Sequence, residues 1–293
     1  MASLPITYPK SFYIFGRGIS FSISPTIHNT GFKQHCLPYS YSIRESETID
    51  DVADVIGDPG FGGASVTMPH KLHVYKFCHA QTETARIIGA INTLVVSAGG
   101  DGNRIITGHN TDWSGLYTII EQYIVGSGFR PSVGLVIGAG GASRAALYAL
   151  FRAGVEHIYL FNRTLSAAEK VKADFSTLFK IHVLPYLEDL PRAPGVVIGT
   201  IPAETTTEGQ FASVFRGKGL CIDMSYKPAY TPLLMAAQKH SAWATVTGVE
   251  VLLAQGFEQY RLWTQMEPPK DRIIKAVSER VGQGESFGWY AVA

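Results

Sequence analysis

Charge, sulfur and long apolar runs are all scarce in this 293-residue chain, and each shortage removes a class of function. Only 17% of the residues are charged, and 25 Lys and Arg against 24 Asp and Glu leave a formal charge of +1. Such a balance gives no electrostatic footprint for nucleic acid and no basic face for an anionic membrane. Three cysteines, Cys36, Cys78 and Cys221, are odd in number and widely spaced. That argues against a disulfide framework and for thiols in a reducing compartment, the cytoplasm. No apolar run approaches the length of a membrane span, and Met1 to Lys10 lacks a signal-peptide core. Internal repeats and low-complexity tracts are missing too. What is present is a hydrophobic fraction of 46% over a length that suits two domains of ordinary size.

The most informative stretch runs from Gly134 to Arg144. The apolar Leu135, Val136 and Ile137 break into Gly138-Ala139-Gly140-Gly141-Ala142 and then an alanine-rich segment, which predicts strand, tight turn and helix. In such a turn Gly138 and Gly140 let the backbone approach a pyrophosphate whose charge sits on the helix N-terminus. Ser143 stands where the fingerprint has its third glycine. The helix, Ala145 to Ala153, is expected to end at Gly154 as a C-cap, and His157 to Phe161 reads as the next strand. An NAD site places an acidic residue at the end of that strand; here stand Asn162, Arg163 and Thr164. A positive fork with two hydrogen-bonding neighbours suits a ribose 2′-phosphate and so NADP(H), the alternative being a surface arginine in a turn.

Elsewhere the pattern alternates strand and helix. Ser11 to Phe15, Pro38 to Ile43, Gly63 to Val66, Asn92 to Val96 and Arg104 to Thr107 read as strands, with a hairpin turn over Gly99 to Asn103. Pro25 to Cys36, Thr48 to Ile56, Pro69 to Cys78 and Asp112 to Ile124 read as helices. After the loop Gly126 to Ser132 and the glycine turn, strands are predicted at Ile181 to Leu184, Val196 to Gly199 and Leu220 to Asp223. From Gly248 the tail is helical, with Val249, Leu252, Leu253, Gly256, Phe257 and Tyr260 on one face. The expected architecture is α/β in two domains with a cleft between them, where a substrate would meet a nicotinamide.

The front half holds polar residues where turns meet helices. Ser22 and Ser24 lie at period two on an extended segment before Pro25, able to grip a carboxylate, or Ser24 simply N-caps the helix. Lys71 is expected in the first turn of a helix, where it opposes the dipole. Asp112 begins a helix that it could merely cap. If Lys71 and Asp112 meet, they form a pair able to relay a proton to or from a hydroxyl during hydride transfer. His70, His73 and His79 match no zinc spacing and read as a basic helix face, so no metal is expected.

These segments together resemble the shikimate dehydrogenase family over nearly the whole chain. The matching text is Phe15-Gly16 through Ser24-Pro25 to His28-Asn29, Gly63 to Pro69, Gly89 to Thr93, Asn110-Thr111-Asp112, the glycine loop, Asn162-Arg163-Thr164, Met224 to Pro228, and Gln255. Phe61 to Thr67, Asp112-Trp113 and Tyr226 to Pro232 resemble the fungal branch, where the domain ends the pentafunctional shikimate-pathway polypeptide; a related domain occurs in the quinate-pathway repressor. The resemblance implies a substrate-binding α/β domain over 1–112, completed by C-terminal helices 249–293, and a Rossmann-like NADP-binding domain over 113–248. It implies that Ser22 and Ser24 hold the substrate carboxylate, that Thr67, Asn92 and Gln255 bond ring hydroxyls, and that Tyr226 closes the pocket. Lys71 and Asp112 would be the catalytic pair, and Thr200 and Gly248 would line the nicotinamide side.

The implied reaction is reversible, NADPH-dependent reduction of 3-dehydroshikimate to shikimate without a metal, with quinate as the other substrate to consider. Gly18, Phe21, His109 and Ala167 depart from common family residues. With no second phosphate-binding arginine at Ala167, the cofactor clamp is left to Arg163. The altered Gly18 and Phe21 beside the serines leave open a ligand-sensing repressor domain, part of a larger polypeptide and nuclear, that need not turn over. No DNA-binding motif lies in this chain.

Overall fold

The computed structural model describes residues 8–100 and 102–282. The chain forms two compact units, one running through Thr111 and resuming at Gly256, the other Asp112–Gln255. The expected C-terminal helices extended over 283–293, which lie outside the described residues, as does Asp101 of the predicted hairpin turn.

In the first unit, β1 (Lys10–Gly16) leads to α1 (Ser24–Gln34) and β2 (Tyr39–Glu45), then α2 (Ala53–Gly57), β3 (Phe61–Val66), β4 (Ala80–Gln81), α3 (Glu83–Ile88) and the hairpin β5 (Thr93–Ala98) with β6 (Arg104–His109). The strand order is β2-β1-β3-β5-β6-β4. β1 pairs in parallel with β2 and β3, and β3 and β6 run antiparallel to β5. All six residues of β3 are buried, as a strand covered on both faces requires. One core joins Phe15, Phe61, Val66, Leu94 and Ile106. On the other side Phe12, Phe32, Tyr41, Tyr260 and Trp263 pack together.

Two predicted helices differ in the structure. Thr48 to Ile56 splits into a 3₁₀ turn at Ile49–Val52, opened by a Thr48–Asp51 capping box, and the short α2. Pro69 to Cys78 is no α-helix at all but two 3₁₀ turns, His70–Leu72 and Val74–Phe77. The segment has no helical apolar stripe to bury: Leu72 and Tyr75 are exposed while His70 and Val74 are buried. Lys71 therefore sits in a 3₁₀ turn, not in the first turn of a helix. His70 is no part of a basic face, since its Nε2 is 2.8 Å from the Ser46 hydroxyl and 3.1 Å from the Ser46 carbonyl.

A buried histidine on α1 makes the first unit acid-sensitive. His28 is wholly enclosed, stacked 4.5 Å from the Tyr41 ring and edge-on to Trp263. Burial lowers its pKa from 6.5 to about 3. Below pH ~6.5 the unfolded chain takes up a proton that the folded chain refuses, so stability falls as pH drops toward 3, by about 1.4 kcal/mol per pH unit. His28→Phe is expected to flatten the dependence of Tm on pH between 6.5 and 4, whatever its effect on the absolute Tm. An unchanged slope in scanning calorimetry would assign the acid sensitivity elsewhere.

The second unit starts with α4 (Asp112–Ser127) and continues through β7 (Val133–Ile137), α5 (Gly141–Arg152), β8 (His157–Phe161), α6 (Leu165–Asp174), β9 (Ile181–Leu184), β10 (Val196–Gly199), β11 (Gly219–Asp223), α7 (Pro232–Gln238) and β12 (Trp243–Val246). Next comes α8 (Gly248–Thr264), whose last residues belong to the first unit, and then α9 (Lys270–Val281) in that unit. The sheet order is β12-β11-β10-β7-β8-β9, and every pair is parallel. Counted from β7 outward, this is the 3-2-1-4-5-6 order of a doubly wound, Rossmann-like sheet. The order reverses between β7 and β10, and ligands of such sheets bind beyond the carboxyl ends of the strands at that reversal. Continuous apolar strands (β7, β10 and β11 are buried throughout) are what a sheet with helices on both faces demands. Among the described residues, no helix is long and apolar enough to cross a membrane.

Candidate active site

In the first unit the polar residues collect at the carboxyl ends of β1 and β3. The Val66 amide donates to the Asn92 carbonyl at 2.7 Å, and the Thr67 amide donates to the Phe15 carbonyl at 2.9 Å. The Ile91 amide then donates to the Lys71 carbonyl at 2.9 Å. These bonds bring Thr67, Lys71 and Asn92 together although 25 positions separate the first from the last. Gly16 makes the approach possible, because a Cβ there would overlap the Thr67 methyl group. Asn92 is fixed at both ends of its amide. Its Oδ1 accepts from the Thr93 hydroxyl and the Thr111 amide, both at 2.7 Å, and its Nδ2 donates to the Thr111 hydroxyl at 2.9 Å.

Ser22 and Ser24 are both buried, with their hydroxyls 3.2 Å apart. Ser24 does not N-cap α1: the helix begins at Ser24, Ile23 occupies the cap position, and no side chain bonds the first turn. Instead the Ser24 amide donates to the Ser22 hydroxyl at 3.3 Å. The simple capping reading is thereby corrected.

Five further residues, Gln259, Thr93, Ser65, Tyr41 and Thr111, support the site without standing out in the sequence. Gln259, buried on α8, donates to the Thr93 hydroxyl at 2.8 Å and the Asn92 carbonyl at 3.3 Å, and accepts from Ser65 at 2.9 Å. Ser65 in turn accepts from the Tyr41 hydroxyl at 2.6 Å. This buried chain locks Asn92 from behind, with Thr111 completing the lock. Gln259 lies one helical turn after Gln255, so a second glutamine four residues on was the available signal.

In the second unit the glycine turn forms at the switch point. Gly138 has φ +121°, and a Cβ there would overlap the Thr200 hydroxyl. Thr200 is pinned by two bonds of 2.9 Å, amide and hydroxyl, to the Ile137 carbonyl. A Cβ at Gly140 would meet open space, and α5 begins at the next residue with no side-chain cap. Ala139, Gly141 and Ala142 complete the turn and enter the helix. The Ser143 hydroxyl folds back to the Gly140 carbonyl at 2.7 Å and so stabilises the turn from inside.

At the end of β8 the Asn162 amide donates to the Thr164 carbonyl at 2.9 Å, and Arg163 between them is exposed without an ion pair among the described residues. A glycine cradle, an uncapped helix start and an unneutralised arginine at the adjacent strand end fit a phosphorylated dinucleotide.

The remaining candidates also lie in the second unit. Asp112 is the buried first residue of α4 and directly follows Thr111. Gln255 is buried and donates to the Leu252 carbonyl at 3.0 Å; its backbone lies where a Cβ on Gly115 would sit. A Cβ on Gly248 would overlap the Ser225 carbonyl, so the loop carrying Tyr226 lies directly on the start of α8.

Two family models match the chain: the shikimate dehydrogenase substrate binding domain over residues 14–94 and the shikimate 5′-dehydrogenase C-terminal domain over 248–277. The pentafunctional AROM polypeptide of Schizosaccharomyces pombe is 39% identical over 283 residues, which is 92% of this chain and 18% of that one. The chain belongs to the shikimate dehydrogenase family. The dehydroquinate dehydratase and shikimate dehydrogenase structure from the S. pombe polypeptide superposes with a TM-score of 0.77 at 37% identity, covering 92% of this chain and 53% of that one. Shikimate 5-dehydrogenase from Thermus thermophilus, in complex with NADP(H) and shikimate, superposes at 0.75 with 25% identity, covering 92% and 99%. The chain spans less than a fifth of the length of the curated AROM relatives it matches. In shikimate dehydrogenase terms, the family-model matches take in Ser22, Ser24, Thr67, Lys71 and Asn92 at one end, and Gly248, Gln255 and Gln259 at the other.

Proposed function

We propose that the chain is an NADP-dependent shikimate dehydrogenase that interconverts 3-dehydroshikimate and shikimate. The observation that carries the reading is the convergence of Thr67, Lys71 and Asn92 at the end of β3, with Asn92 held rigidly by Thr93 and Thr111. An amide held in this way is positioned for a ring hydroxyl without an ordering cost at the moment of binding. Ser22 and Ser24, already paired, offer hydroxyls to the substrate carboxylate. Gln255 and Tyr226, in the second unit, are the further candidates for contacts to the ring.

NADPH, when bound, supplies the hydride that adds to the carbonyl carbon, and NADP⁺ takes it back in reverse. Gly138, Ala139, Gly140, Gly141 and Ala142 would hold its pyrophosphate on the start of α5. Asn162, Arg163 and Thr164 would hold the 2′-phosphate, with Thr200 and Gly248 beside the nicotinamide. As the carbonyl oxygen becomes an alkoxide, the Lys71 ammonium gives it a proton, and in the oxidative direction the neutral amine takes the proton from the hydroxyl. Asp112 is the proposed partner of Lys71 in that proton transfer.

Shikimate with NADP⁺ is expected to raise nicotinamide absorbance rapidly on mixing with the purified protein, with quinate and NAD⁺ as controls. Ligand binding in calorimetry without turnover under any pairing would replace the dehydrogenase with a ligand-sensing domain.

A further inference from the structure

The second unit buries a carboxylate for which the proposed chemistry has no use. Asp223 ends β11 and is 4% exposed, and the neighbouring β10, α7 and β12 carry no charged side chain. Its hydrogen bonds go to both ends of one loop. Oδ1 accepts the Ser225 amide at 3.0 Å, and Oδ2 accepts the Thr231 hydroxyl at 2.6 Å. Thr231 in turn accepts the Leu234 amide at 3.3 Å as the N-cap of α7. The loop so clipped, residues 224–231, contains Tyr226, is tied by the Met224 amide to the Gly199 carbonyl at 2.9 Å, and lies flat on Gly248. Gly199 must be glycine for this to work, since a Cβ there would press on the Asp223 carboxylate.

We propose that Asp223 is a positioning residue, a carboxylate clamp that fixes the loop carrying Tyr226 against the start of α8 and releases it on protonation. The effect on turnover rests on the dehydrogenase reading; the clamp itself does not. An unpaired buried carboxylate is costly to keep ionised, and Asp223 is accordingly pushed up from 3.8 to about 6 by burial, against the pull of the Thr231 and Ser225 bonds. Protonation removes the charge, turns one oxygen into a donor and weakens both as acceptors, so the bonds from Ser225 and Thr231 loosen.

The other titratable groups nearby are few. Cys221, two residues back on β11, is held neutral because burial and the Asp223 charge push its thiol up. On α8, the Glu250 carboxylate accepts the Thr247 amide at 2.7 Å and the Thr247 hydroxyl at 2.9 Å. Tyr226, Lys227 and Tyr230 lie on the loop itself.

The test reads the clamp with and without turnover. In amide NMR titrations of the whole chain, the Ser225 and Leu234 resonances are expected to move with a common midpoint near pH 6, and to stay flat in Asp223→Asn. Thr231→Val, which removes the donor that holds the carboxyl down, is expected to raise the midpoint, and Thr231→Ser to restore it. In steady state, the ratio of kcat/KM for NADP⁺ in the wild type to that in Asp223→Asn, taken at each pH so that the proton transfer of the reaction itself is common to both, is expected to fall about tenfold from pH 7.5 to pH 5, as one titrating group with a midpoint near 6 requires. Flat Ser225 and Leu234 resonances in the wild type, or an unchanged titration in Asp223→Asn, would overturn the clamp. A chain without any turnover but with the titration intact would instead remove the dehydrogenase reading and leave the clamp standing.

Discussion

Lys71→Ala is expected to lower shikimate turnover by about 10²–10⁴-fold, the usual contribution of a positioned general acid–base group, and to leave NADP⁺ affinity unchanged. The separation of effects follows from where Lys71 sits. Its backbone carbonyl accepts the Ile91 amide, and the neighbouring imidazole of His70 is anchored on Ser46. Truncation at Cβ leaves both bonds intact, so Thr67 and Asn92 keep their places and substrate still has its hydroxyl partners. The cofactor candidates, Gly138 through Ala142 and Arg163, belong to the other unit and lose nothing. The variant should therefore show a collapsed kcat with a nearly ordinary NADP⁺ dissociation constant in fluorescence titration. Equal turnover in wild type and variant would take Lys71 out of the proton path, and a parallel loss of NADP⁺ binding would mean that the substitution had disturbed more than a proton.

The sequence carried much of this arrangement, and the losses have physical causes. The strand–glycine–helix text around Ile137 specified both the turn and its location, because a residue at φ +121° packed against Thr200 has to be glycine. Serines at period two specified Ser22 and Ser24 but not their geometry: spacing alone suggested a cap, whereas the two hydroxyls bond each other. The helix expected at Pro69 to Cys78 failed because residues with the right spacing faced solvent, and only tertiary context shows which side of a segment is covered. The strands β4 and β12 and the helices α3, α6 and α7 carry no apolar period strong enough to predict them, though α3 and α7 carry local marks. Thr82 and Thr231 both cap, and Gly89 closes α3 at φ +69°. Gln259 and Asp223 lay outside any linear pattern. A glutamine bonding Ser65, Asn92 and Thr93 across more than 160 positions acts through the fold, and a carboxylate becomes unusual only once burial has removed its water.

Arg163→Ala is expected to weaken NADPH binding by about 10–100-fold, on the order of a charge-assisted, forked contact to phosphate, while NADH binding changes little. The prediction depends on Arg163 having no other task. It is exposed at the end of β8, no described carboxylate neutralises it, and the turn that presents it is maintained by the Asn162 side chain on the Thr164 carbonyl. Removing the guanidinium therefore costs the fold almost nothing, and any lost affinity must come from the ligand. The alanine already present at position 167 sharpens the expectation, since no second arginine stands there to share the phosphate. NADPH and NADH differ only in that phosphate, so the ratio of their dissociation constants isolates it from the pyrophosphate, nicotinamide and adenine contacts. Raised salt should shrink the wild-type preference for NADPH and leave the variant's ratio flat, because an exposed ion contact is screened. Equal weakening of both cofactors would make Arg163 a support of the glycine-turn region and leave the 2′-phosphate without its proposed partner.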